Sequence, residues 1–331
     1  MNVKVSIIIP VYNVASFLDA CLSSCINQTF HDLEIIVVND GSTDESPLII
    51  QRYAEKDDRI KVITKENQGL IYARKSGLER ACGEYVFHLD GDDYLEISTI
   101  AELYNEAIKC GADYVIANYY EVCDNNRLKM RNTNEYNGLC GQELLLCMFH
   151  NGGWTIWGKL MHKSLFDGII YYPVVMGEDL FLNMQICLKV KKVIVVDACL
   201  YNYVYRLNSI TNQKKKMRVN LKFDMAKNIF YLLDIYPYNQ PIKEKVYLMF
   251  YYCFLSCIRD KEMSLKNILY DYYWNKKEVR DFLWKKRKDF YLIINVFFRY
   301  PAIASIMAKI YLFLIDFRRS MKRFKYELIN K

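Results

Sequence analysis

Ile35-Ile36-Val37-Val38-Asn39-Asp40-Gly41-Ser42-Thr43-Asp44 and Tyr85-Val86-Phe87-His88-Leu89-Asp90-Gly91-Asp92-Asp93 repeat one pattern. In each, a short apolar run ends in a cluster of carboxylates. Runs of this length and composition read as buried strands. An open α/β sheet binds its ligands outside the carboxyl ends of its strands, which is where these acids fall. Like charges gathered there repel one another unless a cation neutralises them, and a divalent ion on a diphosphate does so. The two segments therefore predict an α/β sheet built around a metal–nucleotide.

The surrounding 120 residues keep the same rhythm. Val3–Pro10 reads as a buried strand stopped by Pro10, residues 14–26 as a helix and Glu34–Val38 as a second strand. A helix is expected over 44–56, capped by Ser42 or Thr43, with Asp44 and Glu45 favourably placed in its first turn. Strand Ile60–Thr64, helix 69–81, strand 84–89, helix 96–110 and strand Asp113–Ala117 complete the series. Strands separated by helices of this length imply right-handed crossovers and a mostly parallel, Rossmann-like sheet flanked by helices. From 120 to 205 the pattern loosens. Asp124–Asn137 reads as an exposed polar excursion, Gly177-Glu178-Asp179 opens a helix, and Val193–Val196 is a further strand. After Tyr205 the chain reads as helix, rich in Tyr, Phe and Lys.

Charge divides the chain in two. Residues 1–205 carry 18 Lys and Arg against 27 Asp and Glu, a net −9, whereas 206–331 carry 27 against 11, a net +16. Halves so different imply an acidic, metal-using domain followed by a basic accessory region. The 11 cysteines fall at irregular spacing without a CxxC pair or a Cys/His cluster, which favours reduced core thiols in a cytosolic protein over a disulfide framework. Met1-Asn2-Val3-Lys4 leads straight into a strand, so no signal peptide is expected.

Two constellations carry chemistry. Asp40 with the Gly41-Ser42 turn suits a nucleobase or ribose at a strand end, because Gly lets backbone approach closely and the next helix adds partial positive charge. An N-cap cluster with no ligand is the competing reading. In Asp90-Gly91-Asp92 two carboxylates flank one residue and can share a Mg²⁺ or Mn²⁺ with diphosphate oxygens. Here the alternative is an acidic turn capping the helix near Glu96, a part Asp93 is expected to play. His88 reads as a packed core residue, and His31, His150 and His162 show no partner pattern.

Val5-Ser6-Ile7-Ile8-Ile9-Pro10-Val11-Tyr12-Asn13, then Val37 through Asp44, then Asn67-Gln68-Gly69 and Leu89 through Asp93 come in the order found in glycosyltransferase family 2. The chain resembles a bacterial polysaccharide-assembly member of that family over roughly residues 3–210. The resemblance implies a GT-A fold, a nucleotide-diphosphate sugar donor, a divalent metal and inversion at the anomeric carbon. By position it implies that Pro10, Tyr12 and Asp40 line a uracil and ribose pocket. Asp90 and Asp92 would form the DxD pair for ribose and metal, and Arg74 would order the nucleotide side. Gly177-Glu178-Asp179 resembles the family's Glu-Asp motif, making Asp179 the candidate base and Glu178 its alternate. An inverting transfer needs such a base opposite the leaving group, and the helix dipole is expected to lower its pKa. Trp157-Gly158-Lys159 resembles a Trp-x-Lys segment, with acceptor contacts implied for Trp157 and Lys159, although many members have Asn where Gly158 stands. A plain core role is the competing reading for Trp154 and Trp157. Arg206, with Ser209, resembles the segment that closes over the donor diphosphate.

The expected organisation is a GT-A catalytic domain over 1–210 and a basic aromatic helical region over 211–331. Residues 1–120 would bind the nucleotide sugar, and 121–210 the acceptor. In 292–317 Arg299, Pro301 and Lys309 interrupt the apolar run, leaving too little for a spanning helix. With Arg318-Arg319-Ser320-Met321-Lys322-Arg323-Phe324-Lys325 behind it, the run suits a helix lying on an anionic membrane surface. The expected location is thus cytoplasmic, peripheral at the inner face of the cell membrane. Nucleic acid is not expected as a partner, since no RNA- or DNA-binding motif accompanies runs such as Lys214-Lys215-Lys216. The leading expectation is an inverting transferase moving a hexose from a UDP-sugar to a glycan or polyprenyl-diphosphate-linked acceptor in capsule, O-antigen or exopolysaccharide synthesis. A nucleotidyltransferase would want a Gly-rich basic loop where Pro10-Val11-Tyr12-Asn13 stands, and a non-catalytic sugar-nucleotide scaffold would not need carboxylates at 40, 90, 92 and 179.

Overall fold

Four strands form the parallel half of a nine-stranded sheet: β1 (Val5–Val11), β2 (Leu33–Asp40), β3 (Ile60–Lys65) and β4 (Tyr85–His88). The computed structural model describes residues 3–123, 126–130, 134–173, 177–205, 225, 227–260 and 276–314. Every residue of β1, β2 and β4 is buried. That explains their unbroken apolar runs, because both faces are covered. Ile7 and Ile9 share a core with Leu18, Leu22 and Cys25 of α1 (Ala15–Ile26). Ile8, on the opposite face, meets α3 (Leu70–Arg80) at Gly77. The strand order β3-β2-β1-β4 reverses its winding between β1 and β4, which puts the ligand crevice over the ends of those strands.

The other half of the sheet is mixed. β8 (Lys159–His162) runs antiparallel between β4 and β6 (Tyr114–Cys123), and β6 pairs in parallel with β9 (Val193–Val204). β5 (Tyr94–Leu95) caps β9 antiparallel, and β7 (Asn126–Met130) folds back on β6. Both β6 and β9 run further than their apolar cores suggest. The outer half of β9 brings Leu200, Tyr201 and Asn202 into the interior, whereas that of β6 is only partly buried, so backbone pairing rather than side-chain burial extends it. The same reason hides β7 within a polar stretch, four of whose five strand residues are exposed.

Helices begin close to their expected positions, with one shift, and α5 (Gly141–Asn151) is an additional one that the sequence pattern did not mark. α4 (Thr99–Cys110) starts three residues later than 96, because the Glu96 N–H is taken by the Leu200 carbonyl as β5 joins β9. α2 (Ser46–Ala54) is held by Asp44, which accepts from the backbone N–H of Ser46 and of Ala15, tying the starts of α1 and α2 together. Only some cysteines are core thiols: Cys21, Cys25 and Cys187 are buried, whereas Cys82, Cys123 and Cys140 are exposed.

The chain divides into two compact units, residues 1–213 and 214–331. In the second, the described residues form helices over 227–235, Gln240–Asp260, Lys277–Lys286, Lys288–Arg299 and 301–314. Its interior is aromatic, with Tyr251 stacked on Phe290 and Phe254 edge-on to Phe297. Among the described residues no helix is long and apolar enough to cross a membrane.

Candidate active site at the carboxyl edge of the sheet

α3 lies unusually near the sheet because residue 77 is glycine: a Cβ there would stand 2.4 Å from Ile8 Cγ2. One turn earlier on the same buried face is Arg74, 2% exposed. Its Nη2 donates to Asp90 Oδ1 at 2.9 Å and its Nη1 to Asp179 Oδ1 at 2.8 Å, with Glu178 Oε1 3.6 Å from Nη1. One guanidinium therefore joins the acidic loop after β4 to the first turn of α6 (Glu178–Ile186). The planar fork of Arg, permanently charged, suits this double engagement where Lys would not.

The acidic loop is shaped from behind. A Cβ on Gly91 would meet the Pro10 carbonyl oxygen at 3.0 Å, so the loop crosses β1 at a distance that a larger residue would strain. Tyr201 of β9 donates its hydroxyl to Asp93 Oδ2 at 2.7 Å and accepts the Asp90 N–H at 3.2 Å. The other Asp93 oxygen accepts from Val204 N–H at 2.8 Å. Asp93 is thus the anchor of the loop to β9 and not a cap for α4, because the shifted start of that helix leaves it out of reach. Oxygens of Asp90, Asp92 and Asp93 lie within 4.8 Å of one another. This donor set is all hard oxygen, which fits Mg²⁺ or Mn²⁺ better than softer ions.

Tyr12 and Asp40 are neighbours, since Val11 pairs with Asn39 in the register of β1 and β2. Pro10 is buried and Tyr12 half-exposed. Asp40 accepts from the N–H of Gln68 at 3.1 Å and of Gly69 at 2.8 Å, with Lys65 Nζ 3.7 Å away. In this state its carboxylate fastens the end of β2 to the start of α3. Between the strand ends Asn13, at φ 53°, accepts from Thr43 N–H, which ties the two loops together.

The aromatic segment is organised inward. Trp157 is sandwiched by Tyr201 and Tyr203, with centroids at 4.4 and 5.5 Å, and is 9% exposed. Trp154 packs edge-on against Phe149. Lys159 is buried, its ammonium bonded to the carbonyls of Gly153 and Thr155, so it holds that loop closed from within. Neither Trp157 nor Lys159 is brought to the Arg74 cluster by a direct bond. Arg206 and Ser209 lie outside the described residues.

Two supporting residues escaped the sequence reading. Tyr201 orders the acidic loop, and its only signal is alternation with Tyr203 on one face of a strand ending near Arg206. Asn183 is buried and donates to the Asp179 carbonyl at 2.8 Å and to the Trp154 carbonyl while accepting from Tyr114, so it fixes the first turn of α6. His88 is a core residue as expected: burial, with the charge of Arg74, holds its pKa well below the ordinary value, and its ring packs edge-on to Phe166.

Protonation follows from this burial. Burial pushes Glu178 up to about 7, helped by the charge of Asp179 and opposed by Arg74. Burial likewise raises Asp179, although Arg74 and Lys159 pull the other way. The dipole at the helix start was expected to lower Asp179; loss of water at the site outweighs it. Lys159 is pushed down to about 8 by burial. The result is an acidic site whose candidate base has raised basicity, beside a cluster that gains from a cation.

A parallel half, a mixed half and carboxylates over the switch point together define a GT-A fold. The chain matches the profile of "Glycosyl transferase family 2" over residues 6–169. It is 33% identical over 267 residues to a cholesterol galactosyltransferase of Borreliella burgdorferi, covering 75% of this chain and 74% of that protein. It is 35% identical over 229 residues to the glycosyltransferase GlyA of Streptococcus pneumoniae, 63% of this chain but only 31% of that longer protein. Among solved structures, Staphylococcus aureus TarS 1–349 in complex with UDP-GlcNAc superposes with a TM-score of 0.65 at 20% identity, over 92% of this chain and 89% of that one. A Pyrobaculum calidifontis mannosyltransferase with GDP-Man and Mn²⁺ gives 0.51 at 16% identity, over 90% and 88%. The chain belongs to glycosyltransferase family 2.

Proposed function

We propose that the protein is a metal-dependent, inverting glycosyltransferase that moves a hexose from a UDP-sugar to a glycan or polyprenyl-diphosphate-linked acceptor. Its place is at the inner face of the cell membrane, in capsule, O-antigen or exopolysaccharide synthesis. One observation carries the reading: Arg74 joins Asp90, on the acidic loop, to Asp179 and Glu178, at the start of α6. Residues suited to a metal–diphosphate and residues suited to proton abstraction thereby share one pocket.

Asp92 and Asp90 hold the Mn²⁺ or Mg²⁺, which when bound offsets negative charge on the donor diphosphate. Pro10, Tyr12 and Asp40 receive the uridine, with Asp40 turned from its present backbone partners. Asp179 takes the proton of the acceptor hydroxyl as that oxygen attacks the anomeric carbon from the face opposite the diphosphate, and its raised pKa makes it a better base. Glu178 adjoins it as alternate. Arg74 keeps Asp179 oriented, and Arg206 offsets charge on the departing diphosphate. Trp157 and Lys159 shape the acceptor side by fixing the 153–157 loop.

Three assays test the assignment together. Asp92→Asn should lose at least about 10²-fold in Mn²⁺-dependent transfer with an unchanged melting profile. Asp179→Asn should keep UDP and metal binding yet lose turnover. A screen of nucleotide sugars for thermal stabilisation with Mn²⁺ should select a UDP-sugar. Near-normal kcat in either variant, or preference for a different nucleotide, rejects the corresponding role.

A further inference from the structure

The helix over residues 301–314 carries its large apolar side chains on the wrong side for a buried helix. Ile303, Ile306, Ile310, Phe313 and Leu314 are all exposed, from 48 to 68%. At about 100° per residue they fall within an arc of about 100°. Ala304, Ser305 and Ala308 are buried and occupy the opposite arc, where small side chains let the helix lie close on its own unit. The outward stripe is thus strongly apolar, while the inward side is built from small residues together with the half-buried Leu312 and Tyr311, the latter edge-on to Phe290. Lys309 is exposed at the margin of the stripe, the position from which a lysine keeps its ammonium in water above an apolar layer. Soluble surfaces rarely expose so continuous an apolar row.

We infer that this stripe is a docking face for an anionic lipid bilayer, on which the helix lies parallel to the surface with the five side chains inserted among the acyl chains. Charge selects the occupant. The half of the chain that contains the helix is +16 net, and five Arg and Lys follow between 318 and 325. An anionic leaflet neutralises that charge, whereas a second copy of the chain would bring like charges together. Over its described residues this helix is not long and apolar enough to cross a membrane, and Lys309 interrupts its apolar run. The inference supplies a surface for the membrane partner in the proposed function; it rests on that reading for its purpose and on separate observations for its support.

The test is co-sedimentation of the full chain with vesicles of phosphatidylcholine alone or with about a third phosphatidylglycerol, a content that gives a strongly anionic surface. The wild type should partition onto the anionic vesicles, less onto the neutral ones, and less as salt rises. Ile310→Glu and Phe313→Glu, both at exposed positions, should each lower the partition coefficient at least about tenfold, with circular dichroism melts unchanged. Ile97→Glu, an exposed apolar position in the other unit, should bind as wild type. Failure of the wild type to bind, or equal binding by the stripe variants, overturns the inference. So does loss of a dimer in analytical ultracentrifugation on Ile310→Glu without any vesicle binding, which assigns the stripe to a second copy. Stabilisation by UDP with Mn²⁺ should be equal in all of these proteins, so a failed donor reading leaves this result legible.

Discussion

The residue that governs the site is Arg74, which touches three carboxylates from a buried position. Removing it leaves those three partly buried charges without the cation that holds them together. Arg74→Ala should therefore cost about 3–5 kcal/mol in urea denaturation, and Asp179→Asn added to it should restore part of that loss, because one of the stranded charges is gone. Additive losses would show that the ion pairs are unimportant. Glu178 gives a second residue-scale prediction with a definite sign. Its folded pKa of about 7 stands above the model-compound value of 4.5. Below about pH 4.5 the carboxyl is protonated in both states and costs nothing. As pH rises from there the unfolded chain ionises first, so the native state is penalised, and the penalty is complete above about pH 7. Glu178→Gln should thus gain stability over the wild type across that window in metal-free buffer, by up to about 3 kcal/mol. A difference in melting temperature that does not change with pH contradicts the burial argument.

At the scale of elements, close approach decides which side chains meet. α3 can carry Arg74 to the acidic loop only because Gly77 rests against Ile8. Gly77→Ala should lift the helix, costing about 1–3 kcal/mol and lowering kcat more than it changes KM for the donor. A variant with full stability and activity would mean that the sheet yields at Ile8. Strand ends were well marked in the sequence: the apolar runs of β1, β2 and β4 and the acids that follow them are one covalent signal. The start of α4, the strand β7 and the long outer halves of β6 and β9 were not. Those features depend on backbone hydrogen bonds to distant strands, and pairing partners leave no periodic trace in either strand alone.

For the whole molecule, the two units predict a divided response to ligand. On the proposed function, UDP with Mn²⁺ should bind the folded first unit and not its unfolded form, and at a hundredfold excess over Kd should stabilise that unit by about 2.7 kcal/mol. Hydrogen exchange should slow in residues 67–93 and 178–204, which build the site, while the helix Lys277–Lys286 exchanges as before. Equal slowing across both units would show that they respond as one cooperative body. The opposite charges of the two halves, −9 and +16, agree with a division of labour between an acidic reaction centre and a basic surface.

The sequence by itself determined the α/β class, the family and the identity of the acidic residues, because strand periodicity and short motifs are local and survive reading along the chain. It located Asp40, Asp90, Asp92 and Asp179 but not their relations. Only the tertiary structure decided that Arg74 meets Asp179, 105 residues away, as well as Asp90, that Tyr201 orders Asp90 and Asp93, and that Trp157 and Lys159 face inward. It also decided which way Asp179 titrates. A helix start alone lowers a carboxylate's pKa, whereas burial among other charges raises it, and burial is a property of the assembled fold.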